Sequence, residues 1–308
     1  MSIIKTIFFM VILHLIDANK RMCESLSNEL FNHNHTQNKF SADCEKCFGL
    51  CCVALPYAKS ADFAFNKDGG TPCQNLNADY RCSIHKNLRN NGLRGCTVYD
   101  CFGAGQKISQ VTYNGKSWRD DPAIAEEMFN ILPIMQQLHE MLYYLNEALG
   151  LEEAQPIYTD LQEAMAKTEQ LTDQAPTFLL DLYVPTHRAL VNDLLLQTSE
   201  LVRKKVNKNM EHSKYGKKIK RKDLMGANLR GANLRGTNLR GVLLIAADLR
   251  EADMRMTDLI GADFRDADLS GANLEGSIFL TQAQLNSAKG NRKTKIPSSL
   301  SIPSHWLH

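Results

Sequence analysis

The chain has 308 residues, with 36 basic and 34 acidic side chains and a formal net charge of +2. Its 44% hydrophobic and 23% charged residues exclude a collagen-like or wholly disordered protein, and its length allows two or three domains. The small net charge sums opposed blocks, because residues 117–202 carry −12 and residues 203–222 carry +9. A charged partner is therefore not excluded by the total.

Residues 1–42 are predicted to be a leader or a disordered segment. Within them, residues 7–16 are apolar except for one histidine, a run too short to span a bilayer. The run has the length of a signal-peptide core, but no small-residue cleavage site follows it. The alternative is a start assigned too early, with Met22 as the true first residue. We expect a cytoplasmic protein without a transmembrane span, and the apolar run keeps secretion or membrane anchoring open.

Cysteine is confined to one part of the chain. All nine cysteines lie between Cys23 and Cys101, and eight fall in residues 43–116, which we predict to be a cysteine-rich metal-binding domain. The candidate metal ligands are Cys44, Cys47, Cys51, Cys52, Cys73, Cys82, Cys96 and Cys101. Clustered thiolates suit tetrahedral Zn²⁺ or an iron–sulfur cluster, which the spacing does not distinguish. Eight thiolates are enough for two four-thiolate sites, or for one site and structural thiols.

Other residues near these cysteines have two interpretations each. A thiolate cluster is negative, so Arg81, Lys86 and Arg94 are either its nearby cations or solvated surface charges. His85 follows Cys82 by three residues and is either a ligand or a packed histidine. For the whole set of cysteines, the alternative to metal is a disulfide framework, as in a secreted protein.

The cysteine spacing resembles a known domain. The run CxxCxxxCC at Cys44–Cys52 is followed by Cys73–Leu76, Cys82–His85 and Gly95–Cys101, and it resembles the zinc- or iron-chelating cysteine domain found widely in bacteria. The resemblance implies metal binding but not what the metal does. Relatives of that domain are attached to protein-methylating enzymes, so a zinc- or iron–sulfur-dependent enzyme or redox protein, including a protein-modifying one, is an alternative. The sequence has no glycine-rich cofactor-binding fingerprint that would support it.

Residues 117–202 predict a small helical bundle. Asp121 and Pro122 are typical of a helix start, as the cap and the first helical residue. Apolar residues follow at helical spacing, and Pro133 is expected to break or kink the helix. Further helices are predicted at about residues 157–171 and 185–208. The acidic side chains of the bundle face solvent or form a docking surface for a basic partner.

Residues 203–222 form a basic linker with ten lysine and arginine residues. Such a block neutralises phosphates and gives salt-sensitive binding to nucleic acid or anionic lipid. It also joins two folded units, so a solvated linker is the alternative.

From Asp223 to residue 285 the sequence repeats every five residues. The central apolar positions are Leu224, Leu229, Leu234, Leu239, Leu244, Leu249, Met254, Leu259, Phe264, Leu269, Leu274 and Phe279. A small or β-branched residue stands two positions before most of them, usually followed by Asn or Asp. A period of five fits neither an α-helix nor a flat strand, but it fits a chain that turns a corner every five residues. Asn, Asp and Gly favour the turn conformations.

This A(D/N)LxG pattern resembles the pentapeptide-repeat family. The resemblance implies a right-handed quadrilateral β-helix of about three coils, in which residues twenty apart stack and Arg230 lies near Arg250. A solenoid needs both ends covered. The bundle is expected to cover one end, and residues 286–308 are expected to form a capping tail that covers the other, with Trp306 as a packing residue.

The predicted fold class is therefore multidomain α+β: a cysteine-rich domain, a helical bundle and a β-helix at residues 223–285. We predict a metal-binding pentapeptide-repeat protein that acts as a non-catalytic binding or scaffold module. A protein partner is expected on the β-helix surface, and nucleic acid is an alternative partner for residues 203–222. The alternatives are a zinc or iron–sulfur enzyme or redox protein, and a secreted disulfide-bonded protein. The sequence does not decide the metal or the oligomeric state.

Overall fold

A computed structural model of the chain describes residues 40–204, 206 and 223–307. Its α-helices, numbered in chain order, are α1 (Leu50–Ala54), α2 (Arg94–Thr97), α3 (Ala104–Gln106), α4 (Pro122–Leu149), α5 (Tyr158–Thr172), α6 (Pro176–Asp181), α7 (Val184–Lys204) and α8 (Gln282–Ser287). Short 3-10 helices lie at His85–Asn87, Arg89–Asn91, Glu152–Ile157 and Ser304–Trp306, and a π-helical turn at Lys107–Thr112.

Helices α4 to α7 form the predicted bundle, with α4 at its centre. The start of α4 is confirmed, since the Asp121 side chain accepts a hydrogen bond from the Ala123 N–H at 2.9 Å and Pro122 lies in the first turn. Helix α5 agrees with the prediction to within one residue at each end. Helix α7 extends to Lys204 in the described part of the chain.

The predicted break of α4 at Pro133 is wrong. The helix continues through this residue, although proline has no N–H to donate to the preceding turn. Ile131, Leu132 and Met135, close to Pro133 in the sequence, are buried in the bundle core. Tyr144, further along the same helix, is buried there too. Tertiary packing of this kind contributes most of a helix's stability in a protein, and it keeps the two halves of α4 continuous.

Residues 223–280 form a coil of short turns, called the repeat coil below. Backbone pairing joins residues twenty apart, as the stacking argument predicts. Asn228, for example, bridges to Asp248 in a parallel sense. The Leu229 N–H donates to the Asp248 carbonyl at 2.8 Å, and the Asp248 N–H donates to the Ala227 carbonyl at 2.9 Å. Each layer of the coil therefore contains twenty residues.

The predicted fold class, with its right-handed quadrilateral β-helix of about three coils, is wrong. Within residues 40–204 and 223–307 the structure has no β-strand, and its regular secondary structure is helical. The paired positions of the repeat coil are isolated bridges of single residues, each separated from the next by a turn. These pairings are too short to form the runs of three or more residues that make a strand.

The turns of the repeat coil follow the expected chemistry. An Asn or Asp precedes ten of the twelve central residues and accepts a hydrogen bond from the N–H two residues later, as Asn228 does from Arg230 at 3.2 Å. Glycine then takes a left-handed conformation, as Gly231 does with φ of 61°. Ala246 takes the same conformation, with φ of 54°, and its Cβ makes that conformation costly.

The interior of the repeat coil is the predicted one. All twelve central apolar residues are buried, and so are the small residues two positions before them, except for the partly exposed Ala227. Large and small side chains thus fill the interior of the coil together.

The bundle packs along the side of the repeat coil, so the expectation that it covers an end is wrong. Arg240, in the first layer, donates a hydrogen bond to Asn192 of α7 at 2.6 Å. In the third layer, the Phe279 N–H donates to the Glu147 carboxyl of α4 at 2.7 Å. Asp258 in the second layer is completely buried and pairs with Arg240 at 3.0 Å. The contact therefore reaches from the first layer to the third.

The tail packs at the carboxyl-terminal end of the repeat coil. Trp306 is 2% exposed, and its indole N–H donates to the Ala288 carbonyl at 3.0 Å. The indole lies against Gly290, where a Cβ would approach the ring to 2.5 Å. Lys289 bridges to Asp268, so the tail also extends the backbone pairing of the coil.

The cysteine-rich segment also contacts the repeat coil. The Arg94 guanidinium donates to Asp62 of its own segment at 2.6 Å and to Asp266 of the coil at 2.6 Å. Beside it, the Asn286 side chain of α8 donates to the Thr97 carbonyl at 2.8 Å. Phe40–His308 form one compact unit.

Several predictions concern residues outside the described ranges. The apolar run at residues 7–16, Cys23 and most of the basic linker at residues 203–222 belong to this group. Among the helices that the structure does describe, none is long and apolar enough to cross a membrane. The domain boundaries stay a prediction.

Candidate metal centre

The eight candidate ligands come from four short stretches of chain. Cys44 and Cys47 precede α1, and Cys51 and Cys52 lie within it. Cys73 and Cys82 lie on loops, Cys96 lies in α2, and Cys101 precedes α3. All eight are free thiols in the structure, and Cys73 is the most deeply buried.

Gly105 brings Cys47 and Cys101 to one place. A Cβ at this glycine would lie 2.7 Å from the Cys47 sulfur and 3.8 Å from the Cys101 sulfur, so both sulfurs contact the bare backbone of α3. A methyl group there would displace the Cys47 thiol. Burial raises the pKa of Cys47 to about 11, and it also raises the pKa of Cys101.

The Tyr99 hydroxyl is buried beside these thiols and has no hydrogen-bond partner in the described part of the chain. Burial raises the pKa of Tyr99, and the charges of Cys101, Cys51 and Cys47 raise it further. A buried hydroxyl without a partner is costly, and a thiolate would accept its hydrogen bond. Sequence reasoning passed over this tyrosine.

Cys51 and Cys52 are neighbours in α1, and their sulfurs are 4.0 Å apart. Either thiol can donate to the other, and this contact raises the pKa of Cys51 and lowers the pKa of Cys52. Cys52 is therefore the member of the pair that more readily carries the negative charge.

Cys73 and Cys82 lie close to Cys52 through the backbone. The Cys73 N–H donates to the Cys52 carbonyl at 2.9 Å. A turn from Cys73 to Leu76 then brings Leu76 into a bridge with Cys82. The Tyr57 hydroxyl donates to the Cys73 sulfur at 3.5 Å.

The sequence analysis did not single out Lys67, which the structure buries in this segment. It is 6% exposed, and its ammonium group donates to the carbonyls of Val53, Asp68 and Thr71 at 2.9, 3.0 and 2.9 Å. Burial lowers the pKa of Lys67, whereas the charges of Cys73 and Cys52 raise it. A lysine within a polar loop has no distinctive sequence pattern, and its partners here are backbone carbonyls.

The cations predicted beside the thiols lie further out. Arg81 makes an exposed pair with Glu45 at 3.3 Å, and Lys86 and His85 are exposed. Arg94 is committed to two aspartates. In the described part of the cysteine-rich segment, the buried cation is Lys67.

The positions of these residues do not fit a metal site, whereas their chemistry does. Among the described residues, no three Cys, His, Asp or Glu side chains lie close enough together to hold a metal ion. The donor chemistry nevertheless suits a thiolate-bound metal, because the same segment holds eight free thiols, the unpartnered Tyr99 hydroxyl and the buried Lys67 ammonium group. Metal binding at these residues stays a prediction, and it requires the sulfurs to move closer together.

Comparison with known proteins places the chain in a family. The family model described as "Pentapeptide repeats" matches eight copies at residues 223–259 and 244–279. Over 282 residues, the chain is 64% identical to the "Uncharacterized protein YybG" of Bacillus subtilis (strain 168), with 91% of this chain and 100% of that protein covered. No solved structure matches the chain. The chain therefore belongs to the family of YybG and is a pentapeptide-repeat protein.

Proposed function

We propose that this protein is a non-catalytic scaffold that binds a protein partner on the repeat coil and carries a metal in its cysteine-rich segment. The proposal of a protein partner rests on the exposed charges of the coil. Arg230, Arg250 and Arg255 are 52%, 43% and 41% exposed at the side chain, and each has a carboxylate partner. Their distances to Glu251, Asp248 and Asp253 are 3.1, 2.6 and 2.6 Å.

Paired charges of both signs suit a protein partner better than a nucleic acid. A phosphate backbone would have to compete with the aspartates for each guanidinium, whereas a protein surface can complement both signs at once. The buried interior keeps the surface rigid, so that little conformational entropy is lost when a partner binds. We call the three arginines and their carboxylate partners the charge ladder.

The test of the scaffold function is a comparison of captured proteins. Immobilised wild-type protein is incubated with a cell extract beside a variant with Ala at Arg230, Arg250 and Arg255, and the retained proteins are quantified. We expect a defined protein to be retained by the wild type and lost from the variant. Lys167→Ala, an exposed change on α5, is the matched control and retains it. Retention that disappears after nuclease treatment would instead indicate a nucleic-acid partner, and retention by all three proteins alike would refute the role of the charge ladder.

The metal part of the proposal is supported by the spacing and chemistry of the eight thiols. Its test is anaerobic purification followed by metal analysis and a visible spectrum. Zinc without colour would indicate a structural thiolate site. A brown protein that absorbs near roughly 400 nm would indicate an iron–sulfur cluster and would favour redox chemistry. A protein that contains neither metal and takes up none on reconstitution would refute this part.

A further inference from the structure

We propose that the first layer of the repeat coil binds an extended, acidic segment of the protein partner, which pairs with the backbone of Asn233 and places a carboxylate on Arg235. This inference rests on the proposed protein partner and specifies where it binds and what chemistry it presents. Arg235 lies beside the charge ladder, because Asn233 bridges to Asp253 in the second layer and Arg255 follows Asp253 by two residues.

Arg235 is the arginine of the repeat coil without a carboxylate partner in the described part of the chain. The other five coil arginines each pair with a carboxylate at distances from 2.6 to 3.1 Å. The Nε atom of Arg235 is buried and has no hydrogen-bond partner among the described residues. A buried N–H group of a cation is costly when it is left unpaired, so a carboxylate from a partner would stabilise it.

A missing aspartate is one reason why Arg235 has no partner. Arg250 and Arg255 each bond to the aspartate two residues before them, at 2.6 Å. Arg235 follows Asn233 instead, and the amide of Asn233 carries no charge. In the second layer, Asp253 is bonded to Arg255, and its pKa is lowered first by this bond and also by the charge of Arg235. Its carboxylate is therefore already occupied.

Arg230 shows the other way in which the coil supplies a carboxylate. It also follows an asparagine, but it pairs with Glu251, 21 residues later, at 3.1 Å. The corresponding position for Arg235 is Met256, which carries no charge. Neither source of a carboxylate is present for Arg235, so the carboxylate has to come from a partner.

The backbone beside Arg235 is also unpaired within the described ranges. In the second layer, the Asp253 N–H donates to the Ala232 carbonyl at 2.9 Å, and the carbonyls of Asp253 and Arg255 accept N–H groups of the first layer at 2.8 and 2.9 Å. The corresponding groups of the first layer are the Asn233 N–H, the Asn233 carbonyl and the Arg235 carbonyl. None of the described residues pairs with them, and Asn233 is exposed.

These three groups indicate the kind of partner that fits. An extended peptide segment offers both N–H and carbonyl groups, as a strand does when it is added to an exposed edge. A phosphate backbone has no N–H group to donate to the two carbonyls, so a nucleic acid fits this edge less well. Residues 207–222, which precede this layer in the sequence, carry seven lysine or arginine residues and one glutamate. An acidic segment complements this charge as well as that of Arg235.

The experiment is an NMR titration of the full, reduced, isotope-labelled chain with a short, capped peptide of alternating valine and glutamate. Binding is expected to shift the amide signals of Asn233 and Arg235 in a saturable way. The unpaired Asn233 N–H should exchange rapidly with solvent in the free protein and more slowly when the peptide is bound. The Asp253 N–H, which is paired within the coil, should exchange slowly throughout and is the internal control.

Three comparisons separate the backbone contact from the charge contact. A peptide with glutamine in place of glutamate should bind about tenfold more weakly, and so should a glutamate peptide with N-methyl groups on its central residues. Arg235→Gln should weaken binding of the glutamate peptide about tenfold and should bind the glutamine peptide equally well. Arg265→Gln, a change of an exposed arginine already paired with Asp263 in the third layer, is the matched control and should change neither affinity.

Each part of the proposal can be refuted. Slow exchange of the Asn233 N–H in the free protein would show that another part of the chain, or a second copy, already covers this edge. Equal binding of the glutamate and glutamine peptides to the wild type would refute the role of Arg235. Unchanged binding of the N-methylated peptide would refute the backbone pairing. The peptide comparisons use the wild-type protein, so they decide the question even if Arg235→Gln does not fold.

Failure of this inference is distinguishable from failure of the proposed function. A defined protein that is retained from the extract and lost from the charge-ladder variant, together with no saturable shift at Asn233, would support the scaffold and refute this inference. An extract from which the wild type retains no protein would count against the proposed function, whatever the peptide titration shows. A single-stranded oligonucleotide that shifts the Asn233 signal when the peptide does not would refute a protein segment as the occupant.

Discussion

Glu147 provides a direct test of how the bundle is held on the repeat coil. Its carboxyl group lies at the carboxyl-terminal end of α4 and accepts a hydrogen bond from the Phe279 N–H at 2.7 Å. In the described part of the chain it pairs with no cation. Its pKa is raised from the ordinary value of 4.5 to about 8, mainly by burial and also by the charge of Asp258, and the hydrogen bond from the Phe279 N–H partly opposes this rise. We therefore expect the native carboxyl group to be mostly protonated at neutral pH.

The sign and size of the effect follow from this pKa. Because the folded pKa lies above the unfolded one, the stabilisation is complete below pH 4.5 and is lost as the pH rises towards 8. At 1.36 kcal/mol per pH unit, the full difference corresponds to about 5 kcal/mol. The Glu147 residue keeps partial exposure to solvent, so we expect roughly half of that, about 2 to 3 kcal/mol.

The assay is urea denaturation of the wild type and of Glu147→Gln at pH 5.0 to 8.5 with a reducing agent. Glutamine keeps an acceptor for the Phe279 N–H but does not titrate. The two proteins should have similar free energies of unfolding at pH 5, and the variant should be more stable by about 2 kcal/mol at pH 8.5. Titration of the thiols is common to both proteins and cancels in the difference.

Glu152→Gln is the matched control, because Glu152 is exposed in the 3-10 helix after α4. Its difference from the wild type should not depend on pH. A pH-independent difference for Glu147→Gln as well would show that the Glu147 carboxyl group is ionised in the native protein, and the reasoning from burial would be wrong.

Three further predictions concern the repeat coil and its contacts. Arg94→Ala should lower the free energy of unfolding by about 1 to 2 kcal/mol, because Arg94 joins two segments through charge-assisted hydrogen bonds. Arg81→Ala, the control, removes an exposed pair and should change it by less than about 0.5 kcal/mol. Thermal denaturation with and without salt measures both effects. Ala246→Gly should stabilise the protein by about 0.5 to 1 kcal/mol, because glycine adopts the positive φ of this position without strain. Ala247→Gly should destabilise the protein, because the Ala247 side chain is buried. Equal effects of the two substitutions would contradict the turn geometry. Leu249→Ala should cost about 3 to 5 kcal/mol in chemical denaturation, and a cost below 1 kcal/mol would mean that the interior is not close-packed.

The sequence predicted the interior of the repeat coil well, because burial follows the five-residue period. Leu229, Leu249 and Leu269 stack in successive layers, as the period requires. It did not predict that pairing would be limited to single residues. Strand formation depends on how many consecutive residues pair between two turns, and the five-residue period does not report that number.

The sequence predicted less about how the segments meet. The docking of α4 and α7 along the coil depends on contacts such as Arg240 with Asn192, which are distant in the chain and have no local signal. For the thiols, it singled out eight cysteines as candidate ligands but not the residues around them. Lys67 and Tyr99 matter because of their burial, and burial of a lysine in a polar loop depends on the carbonyls that the folded backbone presents.

The position of the bundle limits the size of any complex that this protein forms. With one side of the coil covered, a partner meets three stacked layers, a height of roughly 15 Å at about 4.8 Å per layer. A stable protein–protein interface buries about 800 Å² on each partner. A patch this short must therefore be extended, and the tail is adjacent, where Lys295 pairs with Glu275 of the coil at 3.9 Å. The footprint of a bound partner should accordingly reach past the repeats onto the last residues of the chain.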